Sequence, residues 1–179
     1  VSDMSVVGSA GSGEKALEQA AKLKPDVILM DLKMPGIGGM EATTRLVHNF
    51  PKLKILIVTS CVEEPFPTRI LQAGALGYFT KGSGKEEMVK AVRMVASNQR
   101  YISPVVAQNI ALKKFDSTDQ NPFSVLSERE LQVTIMITSG VKVTDISKQL
   151  YLSSKTINSY RYRIFEKLNI ASDVELTLM

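Results

Sequence analysis

Along the first two-thirds of the chain, short apolar runs alternate with segments whose apolar residues recur at helical spacing. The runs Met4–Val7, Asp26–Asp31, Leu53–Ser60 and Gly77–Thr80 read as strands, the middle two nearly all apolar, as in strands buried on both faces. Between them, Ser12–Lys24, Gly39–Phe50, Pro67–Ala75 and Ser83–Asn98 carry helical periodicity. This alternation predicts βαβ units and a parallel sheet. Another helix, Ser103–Phe115, leads into Asp116–Ser124, a polar, aperiodic stretch with a proline that reads as a linker. From Leu126 onward every signal is helical. The pattern predicts an α/β domain, a linker and a small all-α domain.

Composition narrows the picture without changing it. A chain of 179 residues has room for one ordinary domain and a small one. Its 44% apolar and 22% charged residues are globular values. No apolar run approaches the roughly 18 residues of a membrane span, and the start lacks a basic leader. One cysteine, Cys61, leaves no internal disulfide, and with the single His48 it argues against zinc. The expected compartment is the cytoplasm, with no membrane partner. The chain opens on Val1 instead of methionine and closes in Asp173–Met179, a helical start with no stop signal, so it is expected to be a truncated fragment.

Chemistry enters with "VILMDLKMPG", Val27–Gly36, where an apolar strand runs straight into Asp31. Functional groups of open α/β sheets gather at the carboxyl ends of strands. Asp31 ends one strand, Thr59 the next, and Lys81 follows the last. A carboxylate, a hydroxyl and an ammonium on one edge suit phosphoryl transfer, with Asp31 as nucleophile. Singly, each has a plain structural role: Asp31 as a turn cap, Thr59 as a strand residue, Lys81 as a solvated charge. A competing reading starts at "GSGEKA", where Gly11, Gly13 and Ala16 fit G-x-G-x-x-A and Asp31 lies twenty residues on. That reading is a dinucleotide-binding enzyme. Against it, a dinucleotide fold puts this glycine turn after its first strand, whereas this chain is expected to have lost an earlier one, and no substrate domain remains. Lys15 followed by Ala16 fails the Walker A pattern.

In the C-terminal segment, Ser127 and Glu130 form a capping box and Leu126 can staple onto Leu131. The helix so started stops at Gly140. The helix Val143–Leu150 buries Ile146 and Leu150, and after the turn Tyr151–Ser153 a longer helix begins, giving helix–turn–helix spacing. In that last helix Ile157, Tyr160, Ile164, Phe165 and Leu168 share an inward face. Lys155, Asn158, Ser159, Tyr162 and Glu166 share the outward one, with Arg161 and Arg163 flanking. Asn and Ser read base edges, whereas Lys and Arg hold phosphates. Overall charge does not decide for DNA, since the segment from Asp116 has seven basic and eight acidic residues.

"VILMDLKMPGIGG", "IVTS" and "GALGYFTKG" resemble the phosphoacceptor, switch and lysine segments of bacterial response-regulator receivers. "VLSERELQ" and "KTINSYRYRIFEKLNI" resemble the LuxR-type helix–turn–helix domain of the NarL/FixJ family, and together the motifs look most like GacA/UvrY/VarA-type global regulators. The resemblance implies a flavodoxin-like, doubly wound α/β receiver, N-terminally truncated, over residues 1–99, without its first strand and helix. It then implies a linker with a helix over 100–123 and a small all-α LuxR-type helix–turn–helix domain over 124–179, its last helix truncated. Asp31 is then the phosphoacceptor, Thr59 and Tyr78 the switch pair, and Lys81 the phosphate-contacting lysine. Mg²⁺ would be held by Asp31 and the backbone carbonyl of Lys33, with an acidic pair that this chain lacks. Val143–Tyr162 is the helix–turn–helix, and Lys155, Thr156, Asn158, Ser159, Arg161, Tyr162, Arg163 and Lys167 are the DNA contacts; Tyr160 stands where the family commonly has histidine. The implied protein is no enzyme but a phosphorylation-regulated DNA-binding transcription regulator of a two-component system. Its implied partners are a hybrid sensor histidine kinase, double-stranded promoter DNA upstream of small regulatory RNAs, and a second copy of itself on DNA.

Overall fold

The computed structural model describes residues 2–62, 65–115 and 122–179. Four strands, β1 (Val27–Met30), β2 (Lys54–Thr59), β3 (Gly77–Thr80) and β4 (Tyr101–Ile102), form one parallel sheet in the order β1-β2-β3-β4. The helices α1 (Gly13–Leu23), α2 (Gly38–Asn49), α3 (Phe66–Gln72), α4 (Lys85–Ala96) and α5 (Pro104–Phe115) surround it. A 3-10 turn, Pro122–Val125, then leads to α6 (Glu128–Thr138), α7 (Val143–Leu150), α8 (Ser154–Leu168) and α9 (Asp173–Leu178).

The two-residue period of the strands divides the core. Met30, Ile55, Ile57 and Tyr78 belong to one large cluster, whereas Leu56 and Phe79 face α4 with Ala91, Val95 and Tyr101. The unbroken apolar runs of β2 and β3 are thus explained: both are covered on both faces. The larger cluster continues through Val106 and Leu126 into Leu131, Ile146, Ile157 and Ile164, so one contiguous core runs from the sheet into the C-terminal helices.

One expected strand is absent. Met4–Val7 has no regular structure, and Val6 and Val7 are 93% and 56% exposed. A strand needs a neighbour for its peptide groups, and this run stands off β1 across an open groove of about 1220 Å³. Arg93 of α4 ties the segment down through Asp3, with Nε–Oδ2 and Nη2–Oδ1 distances of 2.9 and 3.1 Å. On the groove side Leu29 of β1 stays 52% exposed. Strand β4 was not expected, being only two residues long. Of the expected linker, 116–121 lies outside the described residues, and its end is the 3-10 turn.

The C-terminal helices start where their caps place them. Ser127 accepts from the Glu130 amide at 3.3 Å while Glu130 Oε2 accepts from the Ser127 amide at 2.8 Å, completing the capping box. Ser153 and Ser172 cap α8 and α9, their hydroxyls accepting from the amides of Thr156 and Glu175. Tyr151 takes the left-handed conformation, φ 55°, to end α7 and open the turn to α8. Glu130 is buried, and Lys167 of α8 reaches it at 2.7 Å. Burial alone would push the Glu130 carboxyl up, but hydrogen bonds from Lys167 and Ser127 outweigh it and hold the pKa below the ordinary 4.5.

A carboxylate with a lowered folded-state pKa contributes its full stability above its unfolded pKa and loses it as pH falls through the folded one. Lys167→Met should therefore cost on the order of 1–3 kcal/mol in urea unfolding at neutral pH, by leaving Glu130 without its cation. That cost should shrink below about pH 4 as Glu130 protonates. A cost independent of pH would mean that Lys167 acts only through the packing of its stem.

Candidate functional site

Parallel register, with Met30 opposite Ile57 and Thr59 opposite Thr80, sets the ends of β1, β2 and β3 side by side. The Lys81 amide donates to the Thr59 carbonyl at 2.8 Å, and Lys81 Nζ meets Asp31 Oδ2 at 2.5 Å. The Asp31 side chain is 32% exposed, enough for a partner to reach it. Its other oxygen, Oδ1, accepts from the Lys33 amide at 3.0 Å, so Asp31 also caps the turn that follows. Thr59 is fully buried and accepts from the Cys61 amide at 3.2 Å, while the Tyr78 hydroxyl donates to the Cys61 carbonyl at 2.6 Å. Thr59 and Tyr78 thus share one peptide residue, Cys61, as their go-between. Sequence reasoning paired the two but had no signal for that link.

Among the described residues no group of three or more His, Cys, Asp or Glu side chains could hold a metal ion. Mg²⁺ needs near-octahedral oxygen coordination. The Asp31 carboxylate and the Lys33 carbonyl are too few, so the residues present do not by themselves form its site.

The glycine turn has a packing role. A Cβ at Gly13 would overlap Ile37 of the turn before α2, so this glycine lets α1 lie close to α2. Asp31 is committed to Lys81 rather than to a ribose.

The loop after Asp31 carries the contact that sequence reasoning missed. Gly36, at φ +75°, donates its amide to the Gln149 carbonyl of α7 at 2.8 Å. Its carbonyl accepts from Arg129 Nη1 at 2.7 Å and from Gln132 Nε2 at 3.4 Å, both on α6. At Gly38 a Cβ would overlap the Gln132 amide. Thr44 of α2 donates to Glu128 Oε1 at 2.9 Å, and Arg69 of α3 donates to the carbonyls of Leu126 at 2.5 Å and Phe123 at 3.1 Å. In the sequence Arg129 sat inside a capping box and carried no hint of a partner 93 positions away.

On α8, Ile157 and Ile164 are fully buried, and Tyr160, Phe165 and Leu168 pack against the same core, as the periodicity predicts. Lys155, Ser159 and Tyr162 are exposed on the other side, Tyr162 by 73%. Other expected contacts are already engaged. Thr156 bonds its cap Ser153, Arg161 pairs with Asp173 at 2.5 Å, and Lys167 pairs with Glu130. Arg163 lies over the Tyr160 ring, 4.7 Å from its centroid.

Residues 1–93 match the response regulator receiver domain, and residues 124–179 match the luxR family of bacterial regulatory proteins. The chain belongs to the LuxR-type response regulators. It is 58% identical over 180 residues to response regulator GacA of Pseudomonas viridiflava, covering 100% of this chain and 84% of that protein. It is 49% identical over 178 residues to response regulator UvrY of Escherichia coli K12, covering 99% and 82%. A structure of the two-component response regulator RcsB–DNA complex matches with a TM-score of 0.57 and 26% identity, over 97% of this chain and 83% of that one. A receiver joined to a LuxR-type domain makes this a phosphorylation-regulated, DNA-binding transcription regulator. Among the described residues, no helix is long and apolar enough to cross a membrane.

The exposed α8 residues divide by chemistry. Lys155→Ala should weaken cognate and scrambled duplexes alike and reduce the slope of log affinity against log salt by about one unit. Binding isotherms over a salt series measure this, and a loss confined to the cognate duplex would make Lys155 a base contact.

Proposed function

We propose that Asp31 accepts a phosphoryl group from the phosphohistidine of a hybrid sensor kinase, and that the loop Pro35–Gly38 passes its occupancy to the DNA-binding helices. A carboxylate oxygen of Asp31 attacks phosphorus. The P–N bond breaks with its electron pair left on the imidazole, and an acyl phosphate forms. Lys81 neutralises the charge gained, and the Thr59 hydroxyl turns from the Cys61 amide to a phosphoryl oxygen. Cys61 then moves with Tyr78, whose hydroxyl it holds. The Asp31–Lys81 pair at the reachable end of the sheet carries this reading.

The second half of the signal rests on Gly36, five positions after Asp31, whose peptide groups are held by Gln149, Arg129 and Gln132. Lys155, Ser159 and Tyr162 stay exposed while these contacts are made. Phosphorylation therefore acts by resetting how the C-terminal domain is held against the receiver, and so how two α8 helices of a homodimer are spaced on promoter DNA, instead of by uncovering α8. In this reading residues 1–99 form the receiver, 100–123 the linker with α5, and 124–179 the DNA-binding domain. The protein works in the cytoplasm, and its output is transcription, not turnover of a substrate.

Incubation with a small acyl phosphate and Mg²⁺, followed by peptide mass spectrometry, tests the acceptor. Label should appear on the peptide carrying Asp31, at low stoichiometry because two oxygen donors are too few for the metal, and Asp31→Asn should abolish it. Label persisting in Asp31→Asn would sink the assignment. Thr59→Ala should label as the parent chain does but lose the change in DNA affinity that labelling brings. If that change survives, Thr59 is only a strand residue.

A further inference from the structure

Asn158 faces the outward side of α8 with its two amide atoms in different situations. Its Oδ1 accepts from Arg161 Nη1 at 3.1 Å. Arg161 is itself immobilised: Nε and Nη2 hold both oxygens of Asp173 at 3.1 and 2.5 Å, and its guanidinium lies 5.6 Å from the Phe165 ring centroid. Asp173 is the first residue of α9, which Ser172 caps, so the chain of contacts is anchored in a second helix.

A guanidinium offers only donors, so the Asn158 atom facing it is the oxygen and the nitrogen is turned away. That Nδ2 has no partner among the described residues. An asparagine free to choose reads adenine with both amide atoms, accepting from N6 and donating to N7. Here the acceptor is spoken for and the donor is free.

Building on the recognition-helix reading above, we propose that Asp173, acting through Arg161, fixes Asn158 as a hydrogen-bond donor toward the major groove, so that the base it reads in each half-site is guanine rather than adenine. Guanine presents two acceptors, N7 and O6, to a donating amide, whereas adenine sets the N6 donor beside its N7 acceptor. Asp173 is thus a positioning residue for specificity, remote from the DNA and acting through two side chains. The residues on α8 around this pair, Lys155 and Tyr162, bear on affinity but do not alter which amide atom points outward.

The test is selection by the full chain from duplexes randomised across the half-sites, repeated for Asn158→Ala, Asn158→Asp and Asp173→Ala. Asn158→Ala locates the position that Asn158 reads, and wild type should favour guanine there by about fivefold or more over adenine. Asn158→Asp keeps an acceptor for Arg161 and removes the donor, so it should shift that position toward cytosine or adenine, whose edges donate. Asp173→Ala should lower the guanine preference several-fold at that position alone; a change in mere stability would not act at one base. If Asp173→Ala does not fold, Asn158→Asp, on an exposed helix face, decides. Adenine selected at that position, or a guanine preference unmoved in both Asn158→Asp and Asp173→Ala, would overturn the proposal. Wild-type selection in which Asn158→Ala alters no position would overturn the base-reading role of Asn158 itself.

Discussion

The peptide of Gly36 is the constraint on which the two halves of this molecule depend. Both of its polar groups are spent on the C-terminal helices, the amide on Gln149 and the carbonyl on Arg129 and Gln132. A buried peptide group left unpaired costs about as much as a hydrogen bond is worth, so the loop and the helices must move together or exchange partners together. The positive φ of Gly36 and the Glu14 carboxylate, which a Cβ at this position would overlap, leave no room for a side chain. The strand end that carries Asp31 is thereby joined, through a few residues of backbone, to the C-terminal helices.

Below that joint, the DNA-binding unit is stiffened by two ion pairs with different tasks. Glu130–Lys167 ties the first turn of α6 to the last turn of α8, with the carboxylate buried and the lysine reaching it from the surface, and Glu130 doubles as part of the capping box. Arg161–Asp173 ties the middle of α8 to the start of α9 nearer the surface. Two of the cations that a reading of α8 would assign to phosphate are thus paired with carboxylates in this structure. Lys155 and Arg163 remain exposed, while the buried Ile157 and Ile164 set the rotation of the helix.

Most of the sheet was legible because β1 and β2 are nearly continuous apolar runs alternating with helical segments, the pattern of a parallel sheet. The C-terminal helices were legible for another reason: their starts are written in serine caps, and their stops in Gly140 and the turn at Tyr151. Asp31, Thr59 and Lys81 could be placed together from strand ends alone, since parallel strands bring their carboxyl ends to one edge. Met4–Val7 misled because strand propensity describes a segment, whereas a strand is a relation between two. The engagement of Arg161 and Lys167 was hidden for a similar reason. A helical wheel shows which side a residue faces, but not that a residue of another helix waits there to neutralise it. Nor could any local pattern link Arg129 to Gly36.

The half-exposed Leu29 bears on motion as well as on shape. Among the described residues, β1 has a hydrogen-bonded neighbour on one edge only, β2, and one of its faces opens onto the groove. Local opening is cheapest where burial and ladder bonds are fewest. Amide exchange should then run outward across the sheet, with β2 as the slow centre and β1 as the fast margin. Asp31, the proposed phosphoacceptor, sits at the tip of that margin. Its carboxylate is held in place less by the strand beneath it than by the lysine across from it.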